Sequence, residues 1–309
     1  MFSENLSEFK GQPVEDWTED PEDPSQFDKV VYRLRIGWEH ETTVVDQLSA
    51  LLQSKGSERL QSLVIGAWHG DDSDAAPTEL VEALVSARDR LPRLRNLFIG
   101  DIISEENEAS WIHLMDLSAL LSAYPKLEHL TVRGSIDLSI GSLSHAGLKE
   151  LVLQSGGLPV SVIHEIATAK LPALEHLELW LGVPNYGGDA TVEDLSPFLS
   201  GTLFPKLKYL GLKNSEIQDE IAGVVAVAPV LAKLDVLDLS EGTLGDEGAR
   251  SLLGSPNIRK LKLLDLHHHF ISEPVQTELR SLGPEVDLSE KKEPYDWGGD
   301  DNRYNAVSE

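Results

Sequence analysis

Asp238, Asp265 and His267 occupy matching places in successive copies of a short apolar phrase, and Glu178 and Trp180 hold the same places in an earlier copy. Carboxylates and an imidazole gathered at one point suit three chemistries: holding a divalent cation, moving a proton, or receiving a partner's Lys or Arg. A second gathering lies nearer the N-terminus, where Trp38, Trp68 and Trp111 accompany His40, His69, Asp71 and Asp72. Large aromatic side chains of this kind anchor protein interfaces; the plainer reading is that they cover core against residues 9–17. His267-His268-His269 has the look of a metal tract, but consecutive strand residues face opposite sides, so three rings cannot converge. His269 is expected inside and hydrogen-bonded to backbone, His267 on the sheet face, and His268 at its rim.

The elements that position these residues come from the phrase itself, Leu-x-x-Leu-x-Leu. It begins at Val31, Leu60, Leu94, Leu127, Leu148, Leu174, Leu207, Leu234 and Leu261, and a degenerate copy ends in Val286-Asp287-Leu288. The steps run from 21 to 34 residues, in or near the range of leucine-rich repeats, the longest needing insertions. We therefore expect a right-handed α/β leucine-rich-repeat solenoid, curved, with a parallel sheet on the concave face and helices on the convex face. Within each copy, x-Leu-x-Leu alternates with the period of a strand. Stacking the strands puts the residue between the second and third apolar positions in one row: Arg35, Val64, Phe98, Thr131, Val152, Glu178, Gly211, Asp238, Asp265 and Asp287. The acids at its C-terminal end repel one another unless a cation or a basic partner is present; the alternative is simple hydration.

Between strands the chain must return. Helices are expected over Leu80–Ala87, Leu117–Ala123, Val160–Thr168, Ile217–Val227 and Leu244–Leu253, and Pro92, Pro125, Pro172 and Pro205 each end a return two residues before a phrase. Residues 100–117 and 181–200 are longer than a tight return needs and should rise at the rim, where insertions often bind. The organisation is an acidic N-terminal arm or cap over 1–28, the solenoid over 29–288, and a polar tail over 289–309 that is expected to be mobile or to fold Tyr295 and Trp297 over the last repeat.

Composition narrows the function. Against 26 Lys and Arg stand 52 Asp and Glu, a net charge of −26, which disfavours nucleic acid and anionic membrane surfaces and favours basic partners. There is no cysteine, so disulfides and thiolate metal sites are excluded. No signal peptide or long apolar run is visible, and a cytoplasmic setting is expected. A phosphate-binding glycine loop, a Gly-x-Ser-x-Gly elbow and a His-Glu-x-x-His helix are all missing.

Leu244-Gly245-Asp246-Glu247-Gly248-Ala249 resembles the return helices of ribonuclease-inhibitor-type leucine-rich repeats. Gly66-Ala67-Trp68, Ser110-Trp111-Ile112, the run LEHLELWLG from Leu174, Tyr186-Gly187-Gly188-Asp189, Leu264-Asp265-Leu266-His267-His268-His269 and the closing Ala306-Val307-Ser308-Glu309 are similar to a bacterial leucine-rich-repeat family of uncharacterised function. The resemblance implies a cytoplasmic protein encoded beside radical-chemistry and ATP-grasp proteins, with a scaffold or substrate-recognition role. It carries over no catalytic residue.

The expectation is a protein-recognition or scaffold module without a cofactor or metal. It would bind a basic protein or peptide through Glu178, Trp180, Asp238, Asp265 and His267, with Trp38, Trp68 and Trp111 as further contacts. The alternative is a metal-assisted hydrolase or other enzyme using Asp238, Asp265 and His267.

Overall fold

Leucines on alternate residues leave one face of each phrase apolar, and the phrases become short strands whose leucines are sealed from water: Leu63, Leu97, Leu130, Leu177, Leu210, Leu237 and Leu264 have no exposed surface. Each such side chain contributes about 1.5–3 kcal/mol. The computed structural model describes residues 2–18, 24–37, 42–70, 72–295 and 302–308. Among these residues it is a mixed α/β fold of twelve strands and eight α-helices. It packs as two units, Met1–Leu151 with Thr168–Leu171, and Val152–Ala167 with Pro172–Glu309.

In the first unit, β1 (Glu8–Phe9) and β2 (Gln12–Asp16) form an antiparallel pair, and β2, β3 (Val31–Leu34), β4 (Ser62–Ile65), β5 (Asn96–Ile99) and β6 (His129–Arg133) follow in parallel. The register joins Asp16, Arg33, Val64, Phe98 and Thr131 across neighbouring strands. The row therefore starts from Arg33, not the expected Arg35. A two-residue slip preserves which face each side chain takes, so alternation alone cannot distinguish the two registers. Phe9 closes this face, packed with Val31, Val64 and Phe98 and joined by Leu6 and Val14. Trp17 stacks on Phe27 and meets Tyr32 edge-on, covering the other side of β3. The returns contain α1 (Val44–Gln53), capped by a reciprocal Thr43–Asp46 box, α2 (Thr78–Ser86) and α3 (Ser118–Ala123). β7 (Glu150–Gln154) spans the division between the units.

The second unit contains α4 (Val160–Thr168, its last residue counted with the first unit), β8 (His176–Gly182), α5 (Ser196–Leu199), β9 (Tyr209–Ser215), α6 (Gln218–Ala226), β10 (Val236–Asp238), α7 (Asp246–Leu253), β11 (Leu263–Asp265), α8 (Glu273–Arg280) and β12 (Glu285–Asp287). From β8 to β12 the strands pair in parallel, in chain order. β9, β10 and β11 each start from a shared acceptor: the Glu175 carbonyl takes the amides of Lys208 and Tyr209, that of Lys208 takes Asp235 and Val236, and that of Asp235 takes Lys262 and Leu263. The helices are linked the same way. Asp219 of α6 accepts from the Gly245 and Gly248 amides at the head of α7, and Asp246 of α7 accepts from Ser272 ahead of α8. Three residues after Gly211, Asp238, Asp265 and Asp287 the backbone turns left-handed, at Asn214, Glu241, His268 and Glu290.

The expected polar tail is not loose over residues 302–308. Asn305 and Val307 are buried, and the segment lies on the second unit's left-handed turns. Tyr295 stacks on Tyr304, 4.5 Å between ring centres, while Trp297 lies outside the described residues.

Candidate functional site

Parallel register brings the second unit's row together: Glu178 pairs with Gly211, Gly211 with Asp238, Asp238 with Asp265, and Asp265 with Asp287. One place further along, Trp180 pairs with Lys213. Lys213 is the residue whose part sequence reasoning missed. The residue is 7% exposed, and its ammonium lies 3.0 Å from Asp238, 3.9 Å from Glu178 and 5.0 Å from the centre of the Trp180 ring. Its place in the adjoining row was visible, but not that its ammonium would reach the acids of the strands on either side.

Asp238 is consequently a buried, satisfied acid, where an exposed one was expected. One oxygen takes the Ser240 amide at 3.0 Å, and the other takes the Tyr209 hydroxyl and Lys213. Glu178 accepts from the Trp180 indole at 2.6 Å and lies 3.3 Å from the Tyr209 hydroxyl, and His176 stacks flat on Tyr209. Burial pushes the Glu178 carboxyl upward, but His176, Lys213 and Trp180 outweigh it and hold the pKa down to about 2. Burial likewise works against the Lys213 charge, and Asp238 and Glu178 more than offset it, so its pKa rises.

Next to this buried network lies a more open one. His267 is clamped between Asp265, 2.7 Å from Nδ1, and Glu241, 2.9 Å from Nε2. These two partners, Asp265 first, raise its pKa to about 10, so the ring is a cation at neutral pH. Asp265, His267 and Asp287 have side-chain atoms within 4.8 Å of one another, a spacing that suits a metal. Asp238, assigned to the expected metal set, is not among them. A doubly protonated imidazole offers no lone pair, so any ion must first displace the proton that Asp265 and Glu241 stabilise.

The aspartates also have a local task. Asp238, Asp265 and Asp287 each accept the amide two residues on, from Ser240, His267 and Ser289, at 2.8–3.1 Å. This bend precedes each left-handed turn and is a reason for aspartate in the row that needs no ligand. The other two histidines of the tract lie past the end of β11 and are separated by the left-handed turn at His268. His269 is fully buried, its Nε2 3.2 Å from the Leu288 carbonyl and its Nδ1 accepting the Ile271 amide. His268 is not at an open rim but is buried, 3.0 Å from the Tyr304 carbonyl.

In the first unit, Trp38, His40 and Asp71 lie outside the described residues. Trp68 is half-buried and donates its indole N–H to the Ala75 carbonyl. Trp111 is 53% exposed. The Asn107 amide donates to the Ser73 and Trp111 carbonyls, bridging the loops that follow β4 and β5. The 100–117 insertion is held down by Asp101, a fully buried carboxylate paired with Arg33 at 2.9 Å and accepting the Leu6 amide, and by Glu106 on Arg35. In the second unit, the 181–200 insertion borders a cleft of about 340 Å³ whose lining includes Asp189, Glu193, Glu216 and Glu220. No helix among the described residues is long and apolar enough to cross a membrane.

Set against solved structures, the chain is similar to a protein from Bacteroides fragilis determined as a structural-genomics target. The TM-score is 0.83 at 32% identity, over 91% of this chain and 78% of that one. No protein-family model and no curated protein matches it.

Proposed function

The chain belongs to the same family as the Bacteroides fragilis protein, and from that premise we propose a protein-recognition module, a leucine-rich-repeat solenoid whose second-unit strand face receives a basic segment of a partner. One observation carries the reading: five carboxylates, of Glu178, Asp238, Glu241, Asp265 and Asp287, stand against two cations, Lys213 and His267. The face keeps a negative excess that an incoming Lys or Arg can neutralise. Roles within it differ by burial. Glu178, Trp180 and Asp238 are the support, and Asp265, Glu241, Asp287 and His267, each with an exposed edge, make the contact. The absence of cysteine and the charge of −26 support a cytoplasmic setting and speak against nucleic-acid and membrane ligands.

Affinity purification with mass spectrometry, run in parallel on the wild type and on Asp265→Asn/Asp287→Asn, tests this. A Lys- or Arg-rich partner should be recovered by the wild type, and be lost from the variant and at high salt. Equal recovery by both would refute the reading. The spacing of Asp265, His267 and Asp287 favours a second reading, a metal-assisted hydrolase. Stoichiometric zinc or manganese binding by calorimetry, lost in Asp265→Asn, would put it first.

A further inference from the structure

Three left-handed turns of the second unit, at Asn214, Glu241 and His268, stand 27 residues apart, and each touches the segment 304–307. At Asn214 the side-chain amide donates to the Val307 carbonyl at 2.5 Å and accepts the Val307 amide at 3.0 Å, as a neighbouring strand would. At Glu241 the backbone carbonyl accepts the Ala306 amide at 2.8 Å. At His268 the ring Nε2 lies 3.0 Å from the Tyr304 carbonyl. These bonds go to the segment's main chain, so they hold an extended peptide without reading its side chains.

Side-chain reading is added at the ends. The Asn305 amide donates to the Asn214 carbonyl at 2.7 Å, and Tyr304 meets His268 and Phe270 edge-on. Arg303 donates to the Thr243 carbonyl at 2.6 Å and to Oδ2 of Asp219 at 2.7 Å. The other oxygen of that carboxylate is occupied at the head of α7, bonded to the Gly245 and Gly248 amides. Asp219 is thus fixed in place by the fold with one oxygen directed at a guanidinium. Gly245 completes the seat, because a methyl group there would stand 2.3 Å from the Arg303 nitrogen. The chain reaches this seat from Tyr295, whose ring stacks on Tyr304.

We propose that these turns form a recognition groove for an extended, arginine-anchored peptide, and that residues 302–308 are its resident occupant, competing in cis with such a segment of a partner protein. The groove goes beyond the strand-face reading: it uses Asn214, Asp219, Gly245 and His268, none of which that reading places in contact with a partner.

The test uses a fluorescent peptide of residues 302–309 and two proteins, the full chain and a variant ending at Tyr295. The shortened protein should bind the peptide saturably, and the full chain at least about tenfold more weakly. An Arg303→Ala peptide should lose about tenfold or more, and Gly245→Ala in the shortened protein should lose a similar amount while its melting curve stays cooperative. Asp287→Lys, which reverses a strand-face charge and leaves the turns at Asn214, Glu241 and His268 intact, should leave peptide binding unchanged, so the two readings fail separately. Binding no tighter than that of a scrambled peptide, or equal binding by the full and shortened chains, overturns the proposal. Should the shortened chain not fold, a protease site inserted between Tyr295 and Asn302 and cut after folding replaces it. The severed tail should then exchange with labelled peptide, and a tail that stays unexchanged is a fixed part of the fold, which also overturns the groove.

Discussion

The two units carry the same leucine phrase and treat the row beside it in opposite ways. In the first, the row presents Val64 and Phe98, and the chain's own Phe9, Leu6 and Val14 close over them. In the second, it presents Glu178, Asp238, Asp265 and Asp287, balanced from within by Lys213 and His267. The leucines build both units alike. The residue between them decides whether a face is sealed by apolar cover or kept charged. Each terminal segment is held by a buried polar side chain: Asp101 accepts the Leu6 amide, and Asn214 pairs with both backbone groups of Val307.

If the phrase leucines are equivalent, Leu97→Asp and Leu210→Asp should be equally ruinous. Both side chains are fully buried. A carboxylate with no partner in either place should cost about 4 kcal/mol or more, enough to abolish the cooperative thermal transition. An unchanged Tm for one of the two would break the equivalence of the units.

The anchors of the terminal segments rank next. Asp101→Ala leaves Arg33 buried beside a missing acid, and removing one member of such a pair costs about 3–5 kcal/mol. Urea unfolding would measure that loss, and limited proteolysis should show residues 2–9 released. Phe9→Ala should cost about 3 kcal/mol and add dye-binding surface over Val64 and Phe98. Removing residues 302–308 should expose a smaller apolar face, because beneath them Phe270 stands among Asn214, Asp219, His268 and backbone carbonyls.

How much of this was legible in the sequence follows from range. Periodicity reports on neighbours along the chain, so helices at Val160–Thr168, 217–227 and 244–253 and the strands from Leu60 onward were readable. Parallel stacking extended that to Asp238 beside Asp265. The start of β3 was misplaced by two residues because a slip of two preserves the face. Lys213 reaching Asp238, Arg303 reaching Asp219 and Leu6 reaching Asp101 span 25, 84 and 95 residues. The last two lie far outside any repeat step, the first depends on where a long side chain turns, and together they decide which acids are buried and which stay exposed.

Histidines sharpen the contrast between the units through opposite pH dependence. His267 has its pKa raised to about 10 by Asp265 and Glu241, above its ordinary value of 6.5. Its contribution is complete below pH 6.5 and is lost as pH rises toward 10. Burial, with Lys10 adding to it, lowers the pKa of His129 in the first unit. Its contribution is present above 6.5 and is lost as pH falls. His267→Gln should flatten the alkaline side of the stability profile, by on the order of 1–2 kcal/mol after solvent screening. His129→Gln should flatten the acid side. Denaturant melts from pH 5 to 10 would separate the two, and a shared direction would sink the assignment.

The smallest effect on stability belongs to Trp111. With 53% of its surface exposed, on a loop tied to its neighbour by the Asn107 side-chain amide donating to the Ser73 carbonyl, it contributes little to the core. Trp111→Ala should therefore change unfolding free energy by no more than about 0.5 kcal/mol. Trp180, nearly buried with its indole on Glu178, should cost far more to remove, so the two tryptophans differ in what they hold together. If Trp111 is a contact residue of the first unit, Trp111→Ala should lower partner recovery while its melt superimposes on the wild type. A lowered Tm would instead make it part of the cover over that unit, leaving the charged face of the second unit as the recognition surface.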